Sequence, residues 1–267
     1  LLSGAYYLQR ALSPFAEVRS GAVPTLLKGG VAVLALPDNV VLNRDNEAAL
    51  RQWMEQGGLV LRFAGPHLAE NPADPLLPVT LRGGRMLGST MSWDKAAALA
   101  PFAPNSPFAG LSVPSDVTVA RQVLAEPTVD LGSKIWARLA DGTPLVTADR
   151  RGKGWLVLVH TTAESEWSNL AISGLFVEML QRLIQLGQGV QVGDAAGTLA
   201  PLETLDGYGR LAAPPPTARP SSAADIAGNR AGPQHPPGYY GKPTARRALN
   251  LGASLARLAP MTLPAGV

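Results

Sequence analysis

The feature that most constrains the fold is a strand–helix–strand pattern near the start of the chain. Residues 31–36 form a continuous apolar run, and residues 59–63 form a second one that only Arg62 interrupts. Between them, residues 44–56 have helical periodicity behind Asn43, a residue type favoured at helix N-caps. Short apolar strands without alternation are typical of parallel sheets that are covered on both faces. The pattern therefore predicts a βαβ unit in an α/β domain.

Later segments predict antiparallel strands added to this parallel core. A glycine-rich turn at residues 151–154 separates the apolar segments 144–149 and 155–159, as in a β-hairpin. Shorter strand-like pieces precede it, at 79–82, 117–123 and 135–139. Residues 171–186 then repeat apolar side chains, from Ile172 to Ile184, at the spacing of a helix that packs flat on a sheet. Residues 1–186 are thus predicted to form an α/β domain with a mixed sheet.

The composition changes after residue 186. Residues 187–267 hold 12 of the 28 glycines and 11 of the 24 prolines, and they carry the whole net charge of +3. We expect a Pro/Gly-rich appendage, extended in part, in which residues 239–240 and 248–251 are β-like and could pair. Because residues 1–186 are neutral, the charge gives no indication of nucleic-acid binding.

The chain contains no cysteine and only three histidines. This composition excludes disulfides and cysteine nucleophiles, and it argues against a metal site. No cofactor is indicated. Since no apolar run approaches the length that spans a bilayer, we expect a soluble domain. The first residue, Leu1, is not an initiator methionine, which suggests a piece of a longer protein.

Several segments resemble a known family. They are residues 48–66, 143–147, 152–162 and 167–180, together with 237–239 and 248–251 in the appendage. These segments are similar to the class I glutamine-amidotransferase-like domain of large bacterial membrane proteins of the Bat type (aerotolerance-related), whose function is unknown. The resemblance implies a flavodoxin-like three-layer sandwich. It also implies the soluble portion of an inner-membrane protein, anchored by other parts of the parent chain, with the periplasmic side favoured.

The resemblance does not carry an activity to this chain. Active class I amidotransferases use a cysteine on the sharp turn after a central strand. The matching turn here, residues 62–66, contains no cysteine, serine or threonine. Glutaminase chemistry by that route is therefore excluded on chemical grounds.

Candidate site residues lie where the predicted strands end, because ligands of open α/β sheets bind beyond the carboxyl ends of the strands. If the three apolar strands are neighbours, the ends converge on one crevice, with Asp38, Asn39, Gly65, His67, His160, Thr161 and Thr162 as ligand-binding candidates. Trp167 is a further candidate as a ligand platform, although a tryptophan before a helix also commonly packs on the core. The resemblance implies that His160 occupies the place of a catalytic histidine, which Glu164 or Glu166 could orient. No motif positions a nucleophile beside it, so a structural or vestigial histidine is the favoured interpretation, and catalysis is the alternative.

Three functions remain open at this point. The leading hypothesis is a non-catalytic domain that binds a partner protein or a small ligand through the strand-end crevice. The second is a hydrolase or transferase that uses His160 with Glu164 or Glu166. The third is a carbohydrate-binding module in which Trp93, Trp136 or Trp167 stacks on a sugar ring. The sequence names neither the ligand nor the oligomeric state.

Overall fold

The chain divides into two compact units, Leu1–Val190 and Gln191–Val267. The structure, a computed structural model, describes residues 3–82, 90–187, 198–222, 225–226, 228, 230–242 and 245–252. The sequence places the change in composition after residue 186. Within the described residues, no helix has both the length and the apolar character needed to cross a membrane.

The first unit alternates helices and strands before it turns antiparallel. Its helices are α1 (Gly4–Leu12), α2 (Val23–Lys28), α3 (Arg44–Glu55), α4 (Pro66–Ala69), α5 (Leu131–Lys134) and α6 (Gly174–Gly187). Its strands are β1 (Val33–Leu36), β2 (Leu59–Phe63), β3 (Thr90–Ala98), β4 (Thr118–Val123), β5 (Ile135–Arg138), β6 (Pro144–Arg151) and β7 (Gly154–Val159). Strands β3 and β4 pair with each other, and of the predicted strand 79–82 only Leu81 forms an isolated bridge.

The main sheet is mixed, which confirms the coarse prediction. Its strand order is β1-β2-β7-β6-β5. Strands β1, β2 and β7 run parallel, whereas β6 is antiparallel to both β7 and β5. The predicted hairpin forms between β6 and β7, and Gly152 at its tip adopts a φ of 60°. The parallel core thus carries an antiparallel extension at one edge.

Helices cover both faces of the parallel strands. Leu59, Leu61 and Phe63 of β2 join an apolar cluster with buried residues of α1 and α6. Val60, on the opposite face of the same strand, joins a cluster with α2 and α3. Burial on both faces explains why these strands lack alternation in the sequence.

The two long helices begin at side-chain caps. The Asn43 side chain accepts a hydrogen bond from the Asn46 N–H at 2.8 Å, which confirms the predicted cap of α3. The predicted start of α6 at residue 171 is wrong. Residues Leu170–Ile172 form a 3-10 turn, and the Ser173 hydroxyl accepts from the Phe176 N–H at 3.2 Å, so the helix begins at Gly174.

The second unit is built of short antiparallel strands. They are β8 (Thr198–Leu199), β9 (Pro201–Leu205), β10 (Leu211–Ala212), β11 (Ser221–Ser222), β12 (Gly238–Lys242) and β13 (Ala245–Leu249). Four of them form a sheet in the order β10-β9-β12-β13, and β8 pairs with β11. Tyr239 lies opposite Ala248, so the expected pairing in the appendage is confirmed.

Candidate functional site

The carboxyl ends of the parallel strands bring four of the predicted residues together. Asp38 follows β1, Gly65 and His67 follow β2, and Thr162 follows β7. The Gly65 N–H donates to Asp38 Oδ1 at 2.8 Å. A Cβ atom on Gly65 would lie 2.6 Å from Asp38 Oδ2 and 2.9 Å from the Thr162 methyl carbon. The strand ends therefore converge as predicted, but they pack closely where a crevice was expected.

The carboxylate of Asp38 is occupied by the protein itself. It accepts hydrogen bonds from the backbone N–H groups of Gly65, His67 and Leu68 at 2.8–3.0 Å. Its Oδ2 also lies 3.0 Å from Nδ1 of His67. Because the Asp38 side chain is only 10% exposed, it caps the turn into α4 and offers little surface to a ligand.

The His67 ring, in contrast, is accessible from solvent. Its side chain is 65% exposed, and the contact with Asp38 holds one ring nitrogen, Nδ1. This leaves Nε2 for an outside partner. Asn39 is exposed as well. Of the residues predicted to bind a ligand at the strand ends, only Asn39 and His67 present an exposed side chain.

His160 does not form the predicted catalytic pair. The ring is completely buried, with Nε2 2.9 Å from the Thr147 hydroxyl oxygen and Nδ1 2.8 Å from the carbonyl oxygen of Val123. Desolvation by burial lowers the pKa of His160 to about 4, although the bond to Val123 opposes the shift. His160 is therefore neutral at pH 7, and it joins β6, β7 and β4 in the core.

The two glutamates proposed to orient His160 lie elsewhere. Glu164 Oε1 accepts from the backbone N–H of Gly4 at 3.2 Å, at the start of α1. Glu166 is exposed. Both ring nitrogens of His160 are already engaged, so the prediction of a dyad with Glu164 or Glu166 is wrong. The loop after β7 holds α1 in place instead of orienting the histidine.

The remaining strand-end candidates are also structural. The Thr161 hydroxyl donates to the carbonyl of Arg121 at 2.9 Å, and the Thr162 hydroxyl is buried without a hydrogen-bond partner among the described residues. Trp167 is 5% exposed and packs among apolar side chains that include Leu68 and Val123. Trp167 is thus a core anchor, which confirms the interpretation that it packs on the core, and it provides no ligand platform.

The tryptophans proposed to stack on a sugar are partly covered. The Trp136 ring lies edge-on to the Phe108 ring, and their centroids are 6.2 Å apart. Its centroid is also 5.0 Å from that of the Trp155 ring. Trp93 Nε1 donates to the carboxylate of Asp141 at 3.1 Å. With Trp167 buried, no surface strip of all three rings exists.

A cleft of about 290 Å³ lies away from the strand ends. It opens between the loop that follows α4 and the segment that leads into β5, beside the end of β6. Its charged lining residues are Asp74, Asp130, Lys134 and Arg151. No local sequence pattern marks this cleft, because its lining comes from three distant segments, none of which carries a recognisable motif.

A buried ion pair anchors one wall of this cleft. Arg62, the one charged residue of β2, is buried and lies 2.8 Å from Asp74 Oδ1, and it donates to the carbonyl of Leu76 at 3.0 Å. The pair ties the loop to the sheet. Elsewhere, no three His, Asp or Glu side chains of the described ranges are grouped to hold a metal ion.

Comparisons with known proteins indicate the fold alone. No protein-family model and no curated protein sequence matches the chain. Two solved structures from Salmonella typhimurium, each described only as a cytoplasmic protein, match 68% and 69% of the chain and 86% and 87% of their own chains. Their TM-scores are 0.51 and 0.54, and their identities are 13% and 12%. Similarity at this identity is evidence of shared architecture, and the amidotransferase resemblance stays a prediction.

Proposed function

We propose that residues 1–190 form a non-catalytic α/β domain that binds a partner protein or a small ligand. The observation that carries the proposal is the state of Asp38, whose carboxylate is bound to three backbone N–H groups. A carboxylate held in this way is a structural cap. His160 is completely buried and both of its ring nitrogens are engaged within the protein, so neither nitrogen can exchange a proton with a substrate.

The binding surface in this proposal is the exposed rim of the strand ends. Asp38 fixes the His67 ring through Nδ1, so the ring is oriented before a partner arrives. A side chain that is already ordered loses less entropy on binding than a free one. His67 would supply an oriented imidazole, and the exposed Asn39, in the loop after β1, would supply an amide.

The proposal also includes a specific architecture and a location for the parent protein. Helices on both faces of three parallel strands support a flavodoxin-like, three-layer arrangement. The resemblance to the amidotransferase-like domain of Bat-type proteins supports a bacterial parent chain that is anchored in the inner membrane, with this domain on the periplasmic side. Locating the intact parent protein by protease protection of spheroplasts tests that part: cleavage of this domain from outside supports it, and full protection contradicts it.

The experiment for function compares turnover with binding. We expect no hydrolysis of ester, amide or glycoside substrates by the wild-type protein beyond that of a His67→Ala variant. Binding partners recovered with the parent protein should be lost on His67→Ala and retained on Glu166→Gln, a change at an exposed residue outside the rim. Turnover that disappears on His67→Ala would contradict a non-catalytic role, and retention of every partner by that variant would contradict the surface.

A further inference from the structure

The cleft beside the end of β6, here called the edge cleft, has a floor formed by the loop of residues 72–80, which carries no net charge. Leu77 and Val79 are buried side chains of its lining, which also includes Pro72 and Pro78. Asp74, the charged residue of this loop, is neutralised by its ion pair with Arg62. The cleft volume of about 290 Å³ lies at the small end of the range for ligand sites. A ligand here is therefore small, and Leu77 and Val79 offer it only a limited apolar surface.

Charged side chains of alternating sign form a row beside the cleft, and Arg151, Lys134 and Asp130 of this row line it. Arg151 Nη2 lies 3.0 Å from Asp149, Asp149 lies 3.9 Å from Lys134 Nζ, and Lys134 Nζ lies 2.9 Å from Asp130. The two inner groups each have an opposite charge on both sides. Lys134 also donates to the carbonyl of Pro78 at 3.2 Å, which holds the floor loop against this row.

The two ends of this row remain accessible and opposite in sign. The side chains of Arg151 and Asp130 are 44% and 59% exposed, and each has an ionic partner on one side only. Hydrogen bonds from Lys134 and Thr128 lower the pKa of Asp130, which keeps its carboxylate ionised near pH 7. The Arg151 end of the row therefore favours an anion, and the Asp130 end favours a cation.

We propose that this cleft binds a small zwitterion, a free amino acid or a short peptide, with its carboxylate at Arg151 and its ammonium at Asp130. A ligand with a single charge gains at one end and is repelled at the other, whereas a zwitterion is complementary to both. The guanidinium of Arg151 can bind a carboxylate through two parallel N–H groups. This site is separate from the strand-end rim, so it does not depend on the function proposed for that surface.

Calorimetric titration of the full chain with leucine, alanyl-leucine and alanyl-alanyl-leucine tests the proposal. At least one is expected to bind with a dissociation constant of about 1 mM or tighter. For the compound that binds best, acetylation of the amine or amidation of the carboxylate should each weaken binding by about tenfold or more, because each removes one ionic contact. Absence of binding by all three compounds would overturn the proposal.

Two variants test which charged group of the ligand contacts Arg151 and which contacts Asp130. Arg151→Gln should remove the preference for a free carboxylate, and Asp130→Asn should remove the preference for a free ammonium, each with a loss of about tenfold in affinity. Both side chains are partly exposed, so both variants are expected to fold, which circular dichroism checks. Lys153→Gln, at the exposed hairpin tip beside Arg151, is the matched control and should bind as the wild type does. Equal affinity for the blocked and free peptides, or unchanged binding by both variants, would refute the assignment.

Discussion

At the scale of single residues, His160 links stability to pH. Its imidazole is buried and neutral, and its pKa falls from the ordinary 6.5 to about 4. Above pH 6.5 the ring is neutral in the folded and unfolded states, so it adds no pH dependence. Below pH 6.5 the unfolded state takes up a proton that the folded state refuses until about pH 4. We therefore expect the first unit to lose about 3 kcal/mol of unfolding free energy across this window from His160 alone.

Urea denaturation of the wild type and of His160→Gln at pH 7.5 and pH 4.5 measures this loss. His160→Gln should be the less stable protein at pH 7.5, because it disturbs the bonds to Thr147 and Val123. Its further loss at pH 4.5 should be smaller than that of the wild type by about 2–3 kcal/mol. Equal losses in the two proteins would show that the buried ring is not the source of the acid sensitivity.

Asp38 and Gly65 are predicted to be energetically coupled. Asp38→Ala removes an acceptor from three backbone N–H groups and should cost about 1–3 kcal/mol. Gly65→Ala places a methyl group against the Asp38 carboxylate and should cost a similar amount. In the double variant the methyl group meets no carboxylate. The double variant should therefore lose about 1 kcal/mol less unfolding free energy than the sum of the losses of the two single variants.

Chemical denaturation of the two single variants and the double variant measures the coupling. The Thr162 methyl carbon lies 2.9 Å from the same Cβ position, so Gly65→Ala should remain destabilising even without Asp38. Additive costs would contradict the close packing of the strand ends.

At the scale of elements, the start of α6 separates two leucine-sized side chains that look equivalent in the sequence. Ile172 lies in the 3-10 turn and is 65% exposed, whereas Leu175 lies in the helix and is buried in the core. Leu175→Ala should cost about 3 kcal/mol, and Ile172→Ala should change stability by no more than about 0.5 kcal/mol. Thermal denaturation of the pair checks this, and comparable costs would mean that the helix begins earlier, as the periodicity alone predicts.

Local signals in the sequence were sufficient for most elements of the first unit. Asn43 marked the start of α3, and the apolar run of residues 59–63 matches β2 at both ends. These signals work because capping and two-sided burial act within a few residues. The start of α6 was missed because Ser173 competes with the helical periodicity through a single hydroxyl.

At the scale of the whole molecule, the arrangement of the strands was easier to predict than the burial and the bonding partners of single side chains. Parallel neighbours bring their carboxyl ends together, which placed Asp38, Gly65, His67 and Thr162 correctly. A strand that is buried on both faces shows no alternation of apolar and polar residues, so its sequence does not indicate whether the residue after it is buried. The burial of His160, which follows β7, could therefore not be predicted from the sequence. The edge cleft depends on contacts between distant segments, which no local pattern encodes.

The division into two units leads to a prediction about cooperativity. All five tryptophans of the chain precede residue 190, so tryptophan fluorescence reports on the first unit. Leu61→Ala, which removes side-chain atoms from the buried core of that unit, should lower the denaturation midpoint seen by tryptophan. In the second unit, Tyr240→Phe removes the hydrogen bond from the buried hydroxyl to the carbonyl of Pro236, 2.7 Å away.

Tyr240→Phe should leave the tryptophan midpoint unchanged, because each unit holds its own apolar cluster and compact units can unfold separately. Hydrogen exchange in peptides from residues 198–249 should instead become faster in this variant, by a factor that corresponds to about 1 kcal/mol. Leu61→Ala is the reciprocal control and should leave that exchange as in the wild type. If Tyr240→Phe lowers the tryptophan midpoint, the two units unfold as one cooperative body, and the second is part of the stability of the first.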